Sequence, residues 1–235
     1  MTLDGRDRRV VELVARFNQL SSSHIQKLIF TDVASNTPCD RVLKRLAERG
    51  YLARIERRNV GGSRGGSGQY VYQLGRHGHT LYKQNRYIPA RSINYHSLTI
   101  ADAYVYITLA ERRGAVSVRG ISTEPDCWVK IGAHELKPDL YVELERPTSG
   151  QRIKLWLEID MGTEGQRQIK DKLNRYWEAF NAADTAEWPV YPLVVFVAID
   201  EARARELHWL LEQGNKEAQG LFRVLPIDKF STAFL

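Results

Sequence analysis

Cysteine is nearly absent from this 235-residue chain, and the two present, Cys39 and Cys127, have no CxxC spacing and no histidine at ligand distance in sequence. That argues against a disulfide framework and against a structural zinc site. Long hydrophobic runs are missing too. The longest, Val190–Ile199, has ten residues including a proline, about half of the ~20 that span a bilayer. The first residues, MTLDGRDRR, are charged and lack the apolar stretch of a secretory signal. A cytoplasmic protein with no membrane partner is expected. Net charge is also missing from residues 76–235, where 21 Lys+Arg balance 21 Asp+Glu. Residues 1–75 hold 13 against 7, so the whole excess of +6 lies there. Such asymmetry is what a phosphate-binding surface requires.

The basic third has a helical beginning. Val10, Val11, Leu13, Val14 and Phe17 form an apolar stripe, with Arg8, Arg9 and Arg16 outside it, which predicts an amphipathic helix over Arg6–Leu20. The run Ser21-Ser22-Ser23 offers caps for a second helix, in which Ile25, Leu28 and Ile29 face inward. Thr37-Pro38 opens a third, running to Arg49 with Val42, Leu43 and Leu46 inside. Gly50 fits the left-handed residue that ends it. The period then changes to two in Tyr51–Glu56, answered by Tyr70–Leu74 across a Gly-rich tip. Three helices and a hairpin predict a winged helix-turn-helix that docks on duplex DNA with its third helix in the major groove. Asn36, Thr37, Arg41, Lys44 and Arg45 lie on the outer face of that helix. Arg41, Lys44 and Arg45, spaced i, i+3, i+4, are expected to project together. Arg57, Arg58 and Arg64 fall on the wing, suited to phosphate or the minor groove.

Residues 76–95 read as a polar linker, and His77, His79 and His96 lack metal-ligand spacing with any carboxylate cluster. From 96 to 235 the expected order is a helix over Leu98–Arg112, then strand-like pieces Val116–Ile121, Cys127–Ile131, Leu140–Leu144 and Ile153–Ile159. A helix over Glu164–Ala183, a strand Pro192–Ile199, a helix Glu201–Gln213 and a strand Phe222–Pro226 follow. This is an α+β or α/β domain with a mixed sheet flanked by helices. Pro138-Asp139 precedes one strand, and Glu158-Ile159-Asp160 ends the next. Residues two apart on a strand share a face. Three converging carboxylates demand a cation, a proton or a basic residue. Oxygen-rich sets of this kind suit Mg²⁺ or Mn²⁺ and phosphoryl chemistry.

A strand carrying PD, a hairpin, a strand carrying an acid and then a helix resembles the PD-(D/E)XK nuclease fold. Asp139 and Glu158 match its two acidic positions, while Asp160 stands where the lysine belongs. The resemblance implies that a lysine from the following helix, Lys172 or Lys170, takes over. Glu158-Ile-Asp-Met-Gly-Thr-Glu164 followed by Lys172-Leu-Asn-Arg-Tyr176 is similar to the replication-relaxation proteins of plasmids and other mobile elements. Those proteins join a winged helix to a nuclease-like domain, so the resemblance covers essentially the whole chain. It implies Asp139, Glu158 and Asp160 as metal ligands and Lys172 as the catalytic cation, in an endonuclease or a degenerate relative of one. The alternative is a winged-helix transcriptional regulator whose C-terminal domain dimerises or recruits a partner. The DNA sequence read and the protein partners stay open, a second copy and other mobile-element proteins included.

Overall fold

The computed structural model describes residues 3–33, 35–58, 68–230 and 232, with only the backbone of Arg57 and Arg58. The chain divides into two units, Met1–Val105 and Tyr106–Leu235. Among the described residues, no helix is long and apolar enough to cross a membrane.

The first unit opens with helix α1, Gly5–Phe17, capped by the Asp4 side chain, which accepts from the Asp7 amide. It ends earlier than its apolar stripe suggests. Asn18 turns to φ 62, a backbone region that asparagine tolerates better than most residues. The next three residues, Gln19–Ser21, form strand β1 instead of continuing the helix. Ser21 then caps α2, Ser22–Ile29, accepting from the His24 amide, while the His24 ring accepts from the Ser21 amide. Helix α3 spans Thr37–Glu48, buries Cys39, Val42, Leu43 and Leu46, and ends before Gly50 at φ 71. Asn36 is its cap residue, one position ahead of the expected Thr37. Strands β2, Leu52–Arg58, and β3, Gln69–Leu74, are antiparallel, and β3 lies between β1 and β2.

The stretch 76–95, read as a linker made of a short helix and a connector, begins with a helix. Helix α4 occupies Arg76–Tyr82. The chain beyond it is fastened by two buried glutamines. The Gln73 amide donates to the Ala90 carbonyl at 2.9 Å and accepts from its N–H at 2.8 Å. Gln19 donates to the Ser92 carbonyl and accepts from the Asn94 amide. Each side chain replaces the strand neighbour that this backbone lacks. Replacing Gln73 by alanine is expected to cost about 1–3 kcal/mol. Faster hydrogen exchange at the Ala90 amide, read by NMR, checks the assignment.

Helix α5, Tyr95–Arg112, contains the division between the units. The second unit is built on a five-stranded sheet in the order β10-β9-β8-β7-β4. Strands β4 (Ser117–Thr123), β7 (Leu140–Glu145) and β8 (Arg152–Asp160) are antiparallel neighbours. Strands β8, β9 (Leu193–Ala198) and β10 (Phe222–Pro226) run parallel. A small hairpin, β5 (Val129–Ile131) with β6 (His134–Leu136), precedes β7. Parallel neighbours need crossovers, and α6, Gln166–Ala182, and α7, Glu201–Glu212, provide them. Both helices bury one face against Trp156, Val194, Phe196, Ala198, Phe222 and Val224. A last helix, α8 (Ile227–Phe230), follows β10 and buries Phe230. The mixed sheet flanked by helices is the architecture expected of this region. Strand β8 sits centrally, and Leu155 to Asp160 are all buried. Its last two acids are therefore held in the interior, a placement that obliges each to find a partner.

Candidate functional site

Asp139 lies immediately before β7. Continuing the pairing of Leu140 with Leu157 by one step sets it opposite Glu158. It is buried, and its Oδ2 accepts from the Ile159 amide at 2.6 Å. Glu158, 4% exposed, receives two side chains from one turn of α6. Lys172 Nζ donates to its Oε2 at 2.9 Å, and the Tyr176 hydroxyl donates to its Oε1. The i, i+4 spacing puts lysine and tyrosine on one helix face. Trp156, two residues back on β8, packs its ring against that of Tyr176 with centroids 5.8 Å apart. Lys172 also donates to Glu164 Oε1 at 3.1 Å, so one ammonium bridges two carboxylates.

Electrostatics follow from burial. Loss of solvent pushes the Glu158 carboxyl up to about 7, against the pull of Lys172 and with a further push from Asp139. Burial alone would lower Lys172, but Glu158 and Glu164 overcome it and hold the ammonium above the usual lysine range. Tyr176 is raised as well, by burial and then by Glu158. The site thus holds a firmly charged lysine beside a carboxylate that titrates near neutrality.

Asp160 does not join this group. Its two oxygens are taken by Arg203 of α7, through Nε at 2.8 Å and Nη2 at 2.9 Å, and Oδ1 also accepts from the Gly162 amide. The expected convergence of three carboxylates is replaced by two separately paired acids, because a buried aspartate facing α7 is best compensated by a bidentate guanidinium. Arg203 is a residue the sequence reading missed, and a separation of 43 positions carries no signal of the pairing. Glu124 was missed as well. Its carboxylate comes within 4.8 Å of the Asp139 carboxylate. Asp139 and Glu158 offer oxygen donors only, the kind that suit Mg²⁺ or Mn²⁺. Lys170, the other lysine considered, is exposed on α6.

On the first unit, Asn36, Thr37, Arg41, Lys44 and Arg45 are all exposed. Arg45 departs from the expected trio. Its guanidinium turns to α1 and donates to Asp7 at 2.6 Å, a carboxylate only 2% exposed. A buried carboxylate without a cation would be costly, so Arg45 is tied down while Arg41 and Lys44 face outward. Arg57 and Arg58 have no described side chains, and Arg64 lies outside the described residues. Between α2, α3 and the β2–β3 hairpin runs a groove of about 1060 Å³ lined by Ser22, Lys27, Asp40, Lys44, Arg54 and Tyr70, among others.

The second unit is thus a mixed α/β unit in which two acids face each other across β7 and β8 and a lysine from the next helix reaches Glu158. The replication-relaxation family model matches residues 11–194. This chain belongs to the replication-relaxation family. No curated protein matches it. Among solved structures, a restriction endonuclease FokI structure aligns at 14% identity and a TM-score of 0.33, covering 97% of this chain and 43% of that one.

Proposed function

We propose that the protein is a DNA-processing factor of a plasmid or other mobile element. In this reading the first unit is a winged helix that docks on duplex DNA, and the second is a PD-(D/E)XK nuclease-like domain. Family membership supports the DNA-processing role. The observation that carries the nuclease-like reading is Lys172, which reaches Glu158 from α6 and so replaces the lysine that Asp160 displaces in sequence. Asp139 and Glu158 would hold a divalent ion, and their all-oxygen chemistry fits one. When bound, such an ion supplies charge neutralisation at a phosphodiester and lowers the pKa of a water. Lys172 keeps a positive charge beside the position of the scissile phosphate, where negative charge develops. Tyr176 holds the second oxygen of Glu158 and fixes its plane. Nicking of supercoiled plasmid in the presence of Mg²⁺ or Mn²⁺ tests the reading, and its absence in both ions would remove the hydrolytic part.

A second reading has its own support. Both oxygens of Glu158 already have partners, and Asp160 is locked by Arg203. A satisfied set of this kind also suits a nuclease-like domain that grips DNA or a partner without cutting. A regulator of this type would bind a defined site tightly with no dependence on divalent metal.

DNA docking by α3 makes a separate prediction. Changing Arg41 and Lys44 together to alanine is expected to weaken duplex binding by about 1–3 kcal/mol for each lost contact. The slope of log affinity against log salt should fall by about 2 if both meet phosphate. Arg45 is kept, because removing it strands buried Asp7 and confuses binding with folding. Unchanged affinity in a fluorescence titration would remove α3 from the interface.

A further inference from the structure

We infer that Arg203 and Glu164 are positioning residues for Lys172, and that the β8–α6 loop between them is the device that holds the lysine at Glu158. The inference rests on the reading of Lys172 and Glu158 as the reactive pair. Lysine has a flexible four-carbon stem, whose rotamers must be restricted before its charge has a fixed place. One contact to Glu158 fixes only part of that freedom. The second comes from Glu164 Oε1 at 3.1 Å.

Glu164 is held through its backbone. Arg203, its side chain 9% exposed, donates to the Glu164 carbonyl at 2.8 Å with the same Nη2 that binds Asp160. Its Nη1 donates to Glu206 Oε2 at 2.7 Å, which orients the guanidinium from α7. Two further bonds close the loop. The Gly162 amide donates to Asp160 Oδ1 at 2.7 Å, with Gly162 at φ 74, where a side chain is strained. The Gly165 amide donates to the Gln168 side chain at 2.8 Å. Asp160 therefore works as the anchor of Arg203, and Arg203 carries the loop.

An independent observation says that Glu164 is not placed for its own stability. Its Oε2 is buried and has no hydrogen-bond partner. A buried orphan oxygen is costly, and the gain for which that cost is accepted is the contact of the other oxygen with Lys172.

The test reads the lysine directly and needs neither metal nor DNA. Full-length protein is acetylated with a trace of N-hydroxysuccinimidyl acetate, and mass spectrometry gives modification of Lys172 relative to exposed Lys170 on the same helix. Glu164→Gln is expected to raise the Lys172 to Lys170 ratio several-fold. The pair Arg203→Met with Asp160→Leu, which removes both buried charges together, is expected to raise it similarly. Arg205→Ala, on the exposed side of α7, should leave it unchanged. A purely structural Arg203 would lower the melting temperature without moving the ratio, and that result in the Arg203 pair overturns its role. An unchanged ratio in Glu164→Gln, whose site is partly exposed and tolerant, overturns the whole inference. A raised ratio in a protein that nicks no DNA keeps the positioning device and removes only the hydrolytic reading.

Discussion

Replacing Lys172 by methionine is expected to destabilise the second unit by about 3–5 kcal/mol at pH 8, the usual cost of stripping a buried charge of its partner, and by about 1.4 kcal/mol less at pH 5. Glu158 is 4% exposed, so without the ammonium it must either stay charged in the interior or take a proton. Its carboxyl is already pushed up to about 7 by burial with Lys172 present. A carboxyl whose folded pKa exceeds its ordinary 4.5 binds protons in the folded state that the unfolded chain has released. Stability from that group therefore falls as pH rises from about 4.5 to the folded pKa. In the wild type the window closes near 7. In the variant its upper edge moves higher, because the cation that lowered it is gone. Up to about pH 7 the two proteins lose this contribution in parallel, so the gap between them should widen only above 7. Urea unfolding at both pH values, with the slope checked for two-state behaviour, measures it. An equal loss at the two pH values would mean that methionine disturbs packing and that the pair contributes nothing through charge.

The pairing of Lys172 with Glu158 was foreshadowed only by the family resemblance, which offers Lys170 or Lys172 from the following helix. Part of the sheet was legible from local pattern, since β9 is a continuous apolar run of the sort that central strands require. What escaped was long-range compensation. Asp160 looked like a third ligand because a strand sets i and i+2 on one face, and only the fold reveals that Arg203 waits there. Arg45 looked like part of a basic row because its spacing fits, and Asp7, 38 residues upstream, takes it. Gln73 and Gln19 gave no sign that they fasten residues 90–94, since a glutamine that replaces a strand has no periodicity to betray it. Asn18 ended α1 three residues before its apolar pattern did. Asn18 apart, each case is a buried polar group whose partner no sequence period encodes.

Changing Asp139 to Asn together with Glu158 to Gln should abolish any stabilisation by Mg²⁺ or Mn²⁺ while leaving DNA affinity intact. Amides keep the shape of the carboxylates and remove their charge, and Lys172 retains its contact with Glu164, so the metal response is read against the double variant's own, lower melting temperature. A ligand that binds only the folded state stabilises it by RT ln(1 + [L]/Kd), about 2.7 kcal/mol at a hundredfold excess over Kd. For a protein of this size that is a rise in melting temperature of about 5–10 °C, absent from the double variant. DNA affinity should persist, because the net +6 lies within residues 1–75. The pH dependence adds a second handle. A metal must displace the proton from Glu158, so apparent affinity should climb as pH rises to about 7 and level off above it. Asp160→Asn provides the contrast. With Asp160 engaged by Arg203, its variant should lose stability through the unpaired guanidinium yet keep the metal response. Loss of the response in Asp160→Asn at unchanged fold would return Asp160 to the ligand set, and no response in the wild type would leave the two acids as a scaffold around Lys172.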